Sequence, residues 1–354
     1  MLKVGIIGAG AISERHIEGY VKHPDAQVCS ICDLNENIAK MRAQKYSISK
    51  YCSDYKDILS DEDINAVSIV TPTFTHKNII IEALKAGKSV LCEKPPALNA
   101  DEVKECQECA KKYNAFLMFG FVCRFRDHVQ YLKDYIDSGK MGKVFCAEAV
   151  RVHRLIESQG WFGEKAKGGG ALIDSAIHEV DEVLYLMGYP KVKSVLAFAT
   201  DANTHLPSKM KSGVRAWETG NKVSENKDIE NFISGYVTLE NGASIYIKTS
   251  NVLHTATPGC YIEICGERAG AKMDLTNKEK PIIMVDELDG YMRETSPIII
   301  EKTPMATKQI NHFVDCCLNG TECICKVDEA VALMEVIDAM YESAATGKVV
   351  VVNE

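Results

Sequence analysis

A short apolar run, Leu2 to Ile7, ends in Gly8-Ala9-Gly10-Ala11-Ile12-Ser13, and the residues from about Ala11 to Lys22 read as a helix. Glycines caught between a strand and a helix leave few folds open, because that context turns a glycine pattern into a dinucleotide fingerprint. Gly8 permits the tight turn, and Gly10 lets the backbone approach a pyrophosphate. The helix N-terminus, carrying Ala11 and Ile12, offers N–H groups and the positive end of its dipole to the phosphates. Ser13 takes the third position of the fingerprint and is small enough for helix and strand to pack closely.

A second apolar run, Val28 to Cys32, ends at Asp33, a little over twenty residues after the glycines. A carboxylate there can accept hydrogen bonds from the adenosine ribose hydroxyls. A 2′-phosphate would meet like charge, and Leu34, Asn35, Glu36 and Asn37 supply no cation to offset it. The expected cofactor is therefore NAD, with NADP the lesser alternative, favoured only if an Arg or Lys from elsewhere reaches this place. The plain structural alternative for Asp33 is a helix N-cap.

Ala66 to Val70 and Ser89 to Cys92 repeat the strand pattern, with a helix from Lys77 to Ala86 between them and Gly87 as its stop. Strands that alternate with helices predict a parallel, doubly wound Rossmann sheet, placed at residues 1–122. From about Lys143 the rhythm changes to longer runs: Val144 to His153, Lys193 to Thr200, Ile229 to Leu239, Ala243 to Asn251 and Cys260 to Cys265. With one helix from Asp174 to Met187, these predict a mostly antiparallel sheet with helices on one face. The whole is an α/β chain whose second, α+β domain, at 123–354, is expected to bind substrate and to carry the subunit contacts. Asp201 to Lys227 reads as a long loop. Thr307 to Leu318 and Asp328 to Ala345 read as terminal helices free to pack back on the first domain.

The 354-residue length favours two packed domains, and the formal charge of -8 argues against a nucleic-acid or anionic-membrane partner. No apolar stretch reaches the roughly eighteen residues a bilayer span needs, and the N-terminus lacks the features of a secretory signal. A cytoplasmic location is expected. The fourteen cysteines include the close pairs Cys29 and Cys32, Cys106 and Cys109, and Cys316 and Cys317. A three-residue offset on a strand sends Cys29 and Cys32 to opposite faces, no second CxxC stands at zinc-ribbon spacing, and no histidines group near these cysteines. Reduced thiols and no metal are the expectation.

Further motifs stand along the chain: Thr71-Pro72 followed by His76; Gly87-Lys88-Ser89 running to Glu93-Lys94-Pro95; and Gly168-Gly169-Gly170-Ala171-Leu172-Ile173-Asp174-Ser175-Ala176-Ile177-His178. With His312-Phe313-Val314-Asp315, Tyr341-Glu342-Ser343-Ala344 and Gly347-Lys348, they give the chain a strong resemblance to the glucose-fructose oxidoreductase and inositol dehydrogenase (Gfo/Idh/MocA) family. The resemblance spans nearly the whole length.

It implies an NAD-dependent dehydrogenase acting on a secondary hydroxyl of a sugar, inositol or related polyol, with Lys94, Asp174 and His178 as the catalytic trio across the domain cleft. Position agrees, since a residue just past a strand's C-terminal end lies where open α/β sheets bind ligands. Asp174 and His178, one helical turn apart, face the same way. Hydride removal from a carbinol leaves a developing alkoxide. His178 is the expected base, because imidazole titrates near neutrality. Lys94 would stabilise charge on the oxygen, and Asp174 would bind a neighbouring hydroxyl or orient the imidazole; Lys94 and His178 can exchange roles. Thr71, Pro72, His76 and Glu93 are expected on the cofactor side, with Glu93 holding the strand-end loop. Arg124 and Trp161 are expected to line the substrate side, with His153 a weaker candidate. Pro95-Pro96 implies a shaped turn, and the resemblance is consistent with a cis peptide there. Two other functions share the scaffold: an NAD-dependent glycosidase that oxidises its sugar transiently, and a non-catalytic NAD-binding regulator. A homodimer or homotetramer through the second-domain sheet completes the expectation.

Overall fold

The computed structural model describes residues 1–156, 160–201 and 227–352. The chain begins β1 (Leu2–Ile7), α1 (Ala11–Lys22), β2 (Ala26–Cys32), α2 (Glu36–Tyr46), β3 (Lys50–Cys52), α3 (Lys56–Ser60), β4 (Ala66–Ile69), α4 (His76–Lys85), β5 (Ser89–Glu93), α5 (Ala100–Tyr113), β6 (Leu117–Gly120). It continues through α6 (Asp127–Asp137), β7 (Val144–Val152), α7 (Ile177–Leu186), β8 (Val192–Thr200), β9 (Phe232–Leu239), β10 (Ser244–Ser250), β11 (Gly259–Gly266), β12 (Ala269–Asp274), β13 (Ile282–Leu288) and β14 (Tyr291–Thr295). It closes with α8 (Met305–Asn319), α9 (Val327–Thr346) and β15 (Val350–Val351).

These elements form two compact units, Met1–Phe125 with Lys302–Val331, and Arg126–Glu301 with Ala332–Glu354. The first boundary lies three residues beyond the expected 122, and the second falls within α9. The segment Lys302–Val331 belongs to the first unit, although the plain division at 122 gave it to the second domain. The reason is in α1 and α8. Gly19 on α1 lacks a side chain where a Cβ would stand 2.7 Å from Ile310, so α8 can seat Ile310, Phe313 and Val314 against it. Tyr20 meets Phe313 edge-on, with ring centroids 6.5 Å apart.

In the first unit the strands run in the order β3-β2-β1-β4-β5-β6, every pair parallel. Val4, Ile6 and Ile7 on β1 and all of β4 are buried, as a sheet covered on both faces requires. The order reverses between β1 and β4, which puts the ligand crevice of such a sheet at the C-terminal ends of these strands. The sequence reading passed over β3, β6, α3, α5 and α6. For α5 a signal was available: Asn99 caps it by accepting the Glu102 amide at 2.9 Å, an N-cap three residues before an acidic side chain.

The second unit is one nine-stranded sheet, β14-β13-β12-β11-β7-β10-β9-β8-β15, antiparallel throughout except where β10 runs parallel to β7. Along β9, Ile233, Val237 and Leu239 are buried while Tyr236 is exposed, so one face is covered and the other open. Strands β12 to β14 extend the sheet beyond the expected runs, and the Asp289-Gly290 turn joining β13 to β14, positive φ at both residues, is the hairpin signal that marks them. The loop expected over Asp201 to Lys227 lies mostly outside the described residues. Among the described residues no helix is long and apolar enough to cross a membrane.

Candidate active site

Gly8 turns the chain out of β1 at φ +101°, and a Cβ there would stand 2.6 Å from the Val70 carbonyl oxygen, so no other residue fits. Its amide donates to the Cys32 carbonyl at 2.8 Å. A Cβ on Gly10 would meet nothing within 4 Å, which leaves open space beside the backbone at the start of α1. Ala11 and Ile12 form the first turn, whose N–H groups have no partner within the helix. Ser13 is fully buried, and its hydroxyl donates to the Gly10 carbonyl at 2.6 Å. The Asp33 carboxylate accepts the Ala9 amide and the Asn35 amide, each at 2.9 Å. It thereby ties the glycine turn to the end of β2, and Asn35, not Asp33, caps α2. This cradle fits a dinucleotide: open space at Gly10, a helix N-terminus, and a carboxylate at the ribose position.

Sequence reasoning missed one cation in this region. Arg42, on α2, reaches back to the glycine turn, donating to the Ala9 carbonyl at 3.2 Å and the Gly10 carbonyl at 3.3 Å, and pairs with Glu14. Its charge is offset by that carboxylate and its hydrogen bonds hold the loop, so the negative field of Asp33 is not reversed.

After β4, the Thr71 and Thr75 hydroxyls stand 2.7 Å apart, and His76 opens α4. His76 is 1% exposed, with Nδ1 2.8 Å from the Pro95 carbonyl and Nε2 2.8 Å from the Thr71 carbonyl. Burial pushes this imidazole down from its usual range, against the pull of the two carbonyls. Its ring thus joins the Thr71-Pro72 turn to the turn after β5 and positions both.

Lys94 follows the last residue of β5 and is half-buried, and its peptide to Pro95 is cis. Glu93 beside it accepts a hydrogen bond from His16 Nε2 at 3.0 Å and from the Lys94 amide at 3.1 Å. His16 Nδ1 can then accept from Ser68, 3.2 Å away, which also lies 2.8 Å from the Tyr20 hydroxyl. Burial alone would raise the Glu93 carboxyl, but His16 and Lys94 hold it below the usual carboxylate range. A charged Glu93, anchored to α1, fixes the backbone from which Lys94 projects.

In the second unit the helix bearing Asp174 and His178 starts earlier than expected and winds differently. Ala171–Ala176 form a π-helical turn that runs into α7 at Ile177. The glycine triplet makes this possible. Gly168 and Gly170 adopt φ +88° and +146°, and a Cβ on Gly169 would stand 2.3 Å from the Phe162 carbonyl oxygen. A Cβ on Gly170 would come within 2.8 Å of both Glu230 and the Tyr341 hydroxyl. Those two side chains do the work of a helix cap: Glu230 accepts the Leu172 amide at 2.9 Å, and Tyr341 donates to Glu230 at 2.9 Å while accepting the Ile173 amide at 3.4 Å. Burial raises the Glu230 carboxyl, opposed by the Leu172 amide and Tyr341. Neither residue stands near Asp174 in sequence, and only Tyr341 lay in a quoted motif. In an α-helix residues four apart are offset by about 40° around the axis. The wider π turn rotates less per residue, so buried Asp174 and half-buried His178 come closer to one line.

One expected substrate contact does not stand as read. Arg124 is 0% exposed inside the first unit, where it donates to the Ile324 carbonyl at 2.6 Å, pairs with Glu329 and lies over the Phe121 ring. A guanidinium so enclosed is structural, and the carboxylate that buries it is some 200 residues away. Trp161 remains half-buried, stacked on Phe162 with centroids 3.8 Å apart. His153, at the end of β7, has Nε2 3.8 Å from Cys260 Sγ. Fourteen cysteines stand as free thiols. The expectation that no histidine groups with them fails for His312, one helical turn before Cys316 and 3.5 Å from its sulfur.

Comparison with known proteins gives the same order of parts. The model of an oxidoreductase family with an NAD-binding Rossmann fold matches residues 2–121, and that of the same family's C-terminal α/β domain matches residues 133–352. The chain is 26% identical to D-glucoside 3-dehydrogenase of Escherichia coli over 350 residues, 98% of this chain and 96% of that one. It is 30% identical to myo-inositol 2-dehydrogenase of Thermotoga maritima over 196 residues, 55% of this chain and 58% of the relative. A solved levoglucosan dehydrogenase, in complex with NADH and levoglucosan, superposes with a TM-score of 0.84 at 23% identity over all of both chains, a likeness of fold. With both family models matched in sequence over most of its length, the chain belongs to the Gfo/Idh/MocA family of oxidoreductases.

Proposed function

We propose that the chain is an NAD-dependent dehydrogenase that transfers a hydride between a secondary hydroxyl of a sugar, inositol or related polyol and the nicotinamide. The observation that carries this reading is that one chain holds a dinucleotide cradle at the β1–β4 switch, a lysine at the end of β5 and, in its second unit, a helix bearing buried Asp174 and half-buried His178. The sugar and inositol dehydrogenases among its relatives support the substrate class.

Gly8, Gly10, Ala11 and Ile12 would hold the pyrophosphate, Asp33 the adenosine ribose, and the Thr71-Pro72 turn the nicotinamide side of the cofactor. The bound nicotinamide supplies the hydride acceptor. His178 accepts the hydroxyl proton, Lys94 stabilises negative charge on the carbinol oxygen, and Asp174 orients the imidazole or holds a neighbouring hydroxyl. A thiol-rich chain of this kind fits the cytoplasm, and the open face of the second-unit sheet fits association with a second copy.

The deciding experiment is a screen of inositols, aldoses, glucosides, sugar acids and amino sugars at fixed NAD, read as NADH absorbance. Net NADH with a free polyol or sugar is the expected result. Release of an aglycone without net NADH would move the reading to a glycosidase, and no turnover with any substrate despite NAD binding to a regulator.

A further inference from the structure

Outside the proposed active site, the described residues contain one grouping of metal-ligand side chains. It lies in the first unit, where α8 ends and the chain turns toward α9. His312 and Cys316 are four apart on α8, hence on one face. Gly320, at φ +68°, closes the helix, its amide donating to the Cys316 carbonyl at 3.2 Å, and the reversed chain brings Cys323 back beside them. One ligand atom from each of the three, His312, Cys316 and Cys323, lies within 4.8 Å of the other two.

From this geometry we infer that His312, Cys316 and Cys323 bind a soft divalent cation of the zinc type, which clips the last turn of α8 to the loop leading into α9. One imidazole nitrogen and two sulfurs are the donors such a cation selects, with the remaining tetrahedral position left to water or an added ligand. Zinc–sulfur and zinc–nitrogen bonds of about 2.3 and 2.0 Å set a sulfur–nitrogen edge of about 3.5 Å in a tetrahedron. His312 Nε2 and Cys316 Sγ already stand 3.5 Å apart. A sulfur–sulfur edge is about 3.8 Å by the same geometry. Any closure needed from the 4.8 Å limit falls within a side-chain rotation of half-buried Cys323.

The surroundings are preorganised. The Phe125 ring lies against the imidazole with centroids 5.5 Å apart. Buried Arg124 holds the loop through the Ile324 carbonyl at 2.6 Å and is itself held by Glu329. Outer contacts of this kind orient metal ligands. Two contacts must break: the Ile324 amide donates to His312 Nε2 at 3.1 Å and occupies the lone pair the cation would take, and the Cys323 thiol donates to the Cys325 carbonyl at 3.4 Å the proton it would lose. The two sulfurs lose their protons on binding, so uptake releases protons and weakens at low pH.

Cobalt(II) is the probe, added to reduced full-length protein freed of metal by a chelator. The expected result is one equivalent bound with sulfur-to-cobalt charge-transfer absorption, displaced by zinc. Cys323→Ser, a loop substitution that leaves α8 intact, should weaken binding at least about a hundredfold, a loss no smaller than outer-contact changes cause. His312→Asn should retain sulfur absorption at lower affinity, and Cys29→Ser should match wild type. Absence of the absorption in wild type would overturn the inference. So would absorption and affinity unchanged in Cys323→Ser, which would place the cation at other thiols.

Discussion

Lys94 illustrates how much at the residue scale is set by neighbours that do not react. Its backbone is gripped by Glu93, and Glu93 by His16 on α1, so the ammonium is delivered from a fixed strand end. If Lys94 and His178 carry charge stabilisation and proton transfer, Lys94→Ala and His178→Ala should each lower kcat by about a hundredfold or more, with NAD affinity little changed. Turnover near wild type in both would remove the assignment. With His178 as base, kcat/KM for oxidation should rise with pH through one ionisation around 6 to 8, and that limb should vanish in His178→Gln; if it persists, the role passes to Lys94. Asp33 makes a separate prediction: calorimetry should find NAD bound more tightly than NADP, and Asp33→Ala should narrow the difference, since the carboxylate repels a 2′-phosphate and Arg42 is already matched by Glu14. What was legible at this scale obeyed local rules. Gly8, Gly10 and Asp33 follow from the backbone path around one turn. Arg124 did not, because nothing near it in sequence announces the distant Glu329 that buries it, and Arg42 did not, because its reach is set by how α2 packs.

Among the elements, the π turn ahead of α7 is the departure with most consequence. A period-based reading gives a helix at Asp174 but cannot see its winding, which depends on Glu230 and Tyr341 taking the first amides from outside. Gly170→Ala should therefore lower both stability and kcat, because its Cβ meets Glu230 and Tyr341 and the backbone there sits at φ +146°. Tyr341→Phe, which removes one hydroxyl, should be milder, costing about 1 to 3 kcal/mol from the orphaned amide and carboxylate. Calorimetric melting of both variants checks the order. The same helix buries Glu182, paired with Arg126 at 2.8 Å. Burial pushes this carboxyl up to about 7, Arg126 opposing and Glu179 and Asp181 adding to the rise. A raised carboxyl binds its proton more strongly in the folded state, so its contribution is fully present below the ordinary value of 4.5 and is lost as pH climbs through about 7. Compared with wild type, Glu182→Gln should flatten the loss of thermal stability over that window. An identical slope in both would show the carboxylate stays ionised across it. Strands β7 to β11 were legible because alternation on a half-covered sheet is written in every second residue; β12 to β14 were passed over although Asp289-Gly290 marks their hairpin.

For the whole molecule, the remaining question is what covers the outer face of the nine-stranded sheet. Register places Leu196 beside Tyr236, Tyr236 beside Tyr246, and Tyr246 beside Glu148, one row across β8, β9, β10 and β7. Side chains directly opposite one another share a face, so this row points away from the helices. Leu196 is 48% and Tyr236 59% exposed, with Phe198 at 62% two residues along β8, and the Tyr236 and Tyr246 rings lie 4.9 Å apart. An aromatic side chain can bury roughly 150–250 Å², and a stable pair of subunits covers about 800 Å² on each. A few such rows suffice, and a two-fold axis would let the same strands meet their copies. Light scattering should therefore give a mass at least twice that of the chain. Tyr236→Arg, which sets a charge in the middle of the row without touching the buried face, should shift that mass toward the monomer at micromolar concentration while leaving the melting of the isolated fold and NAD binding in place. A wild-type monomer would end the argument, and an assembly indifferent to Tyr236→Arg would move the contact to another surface.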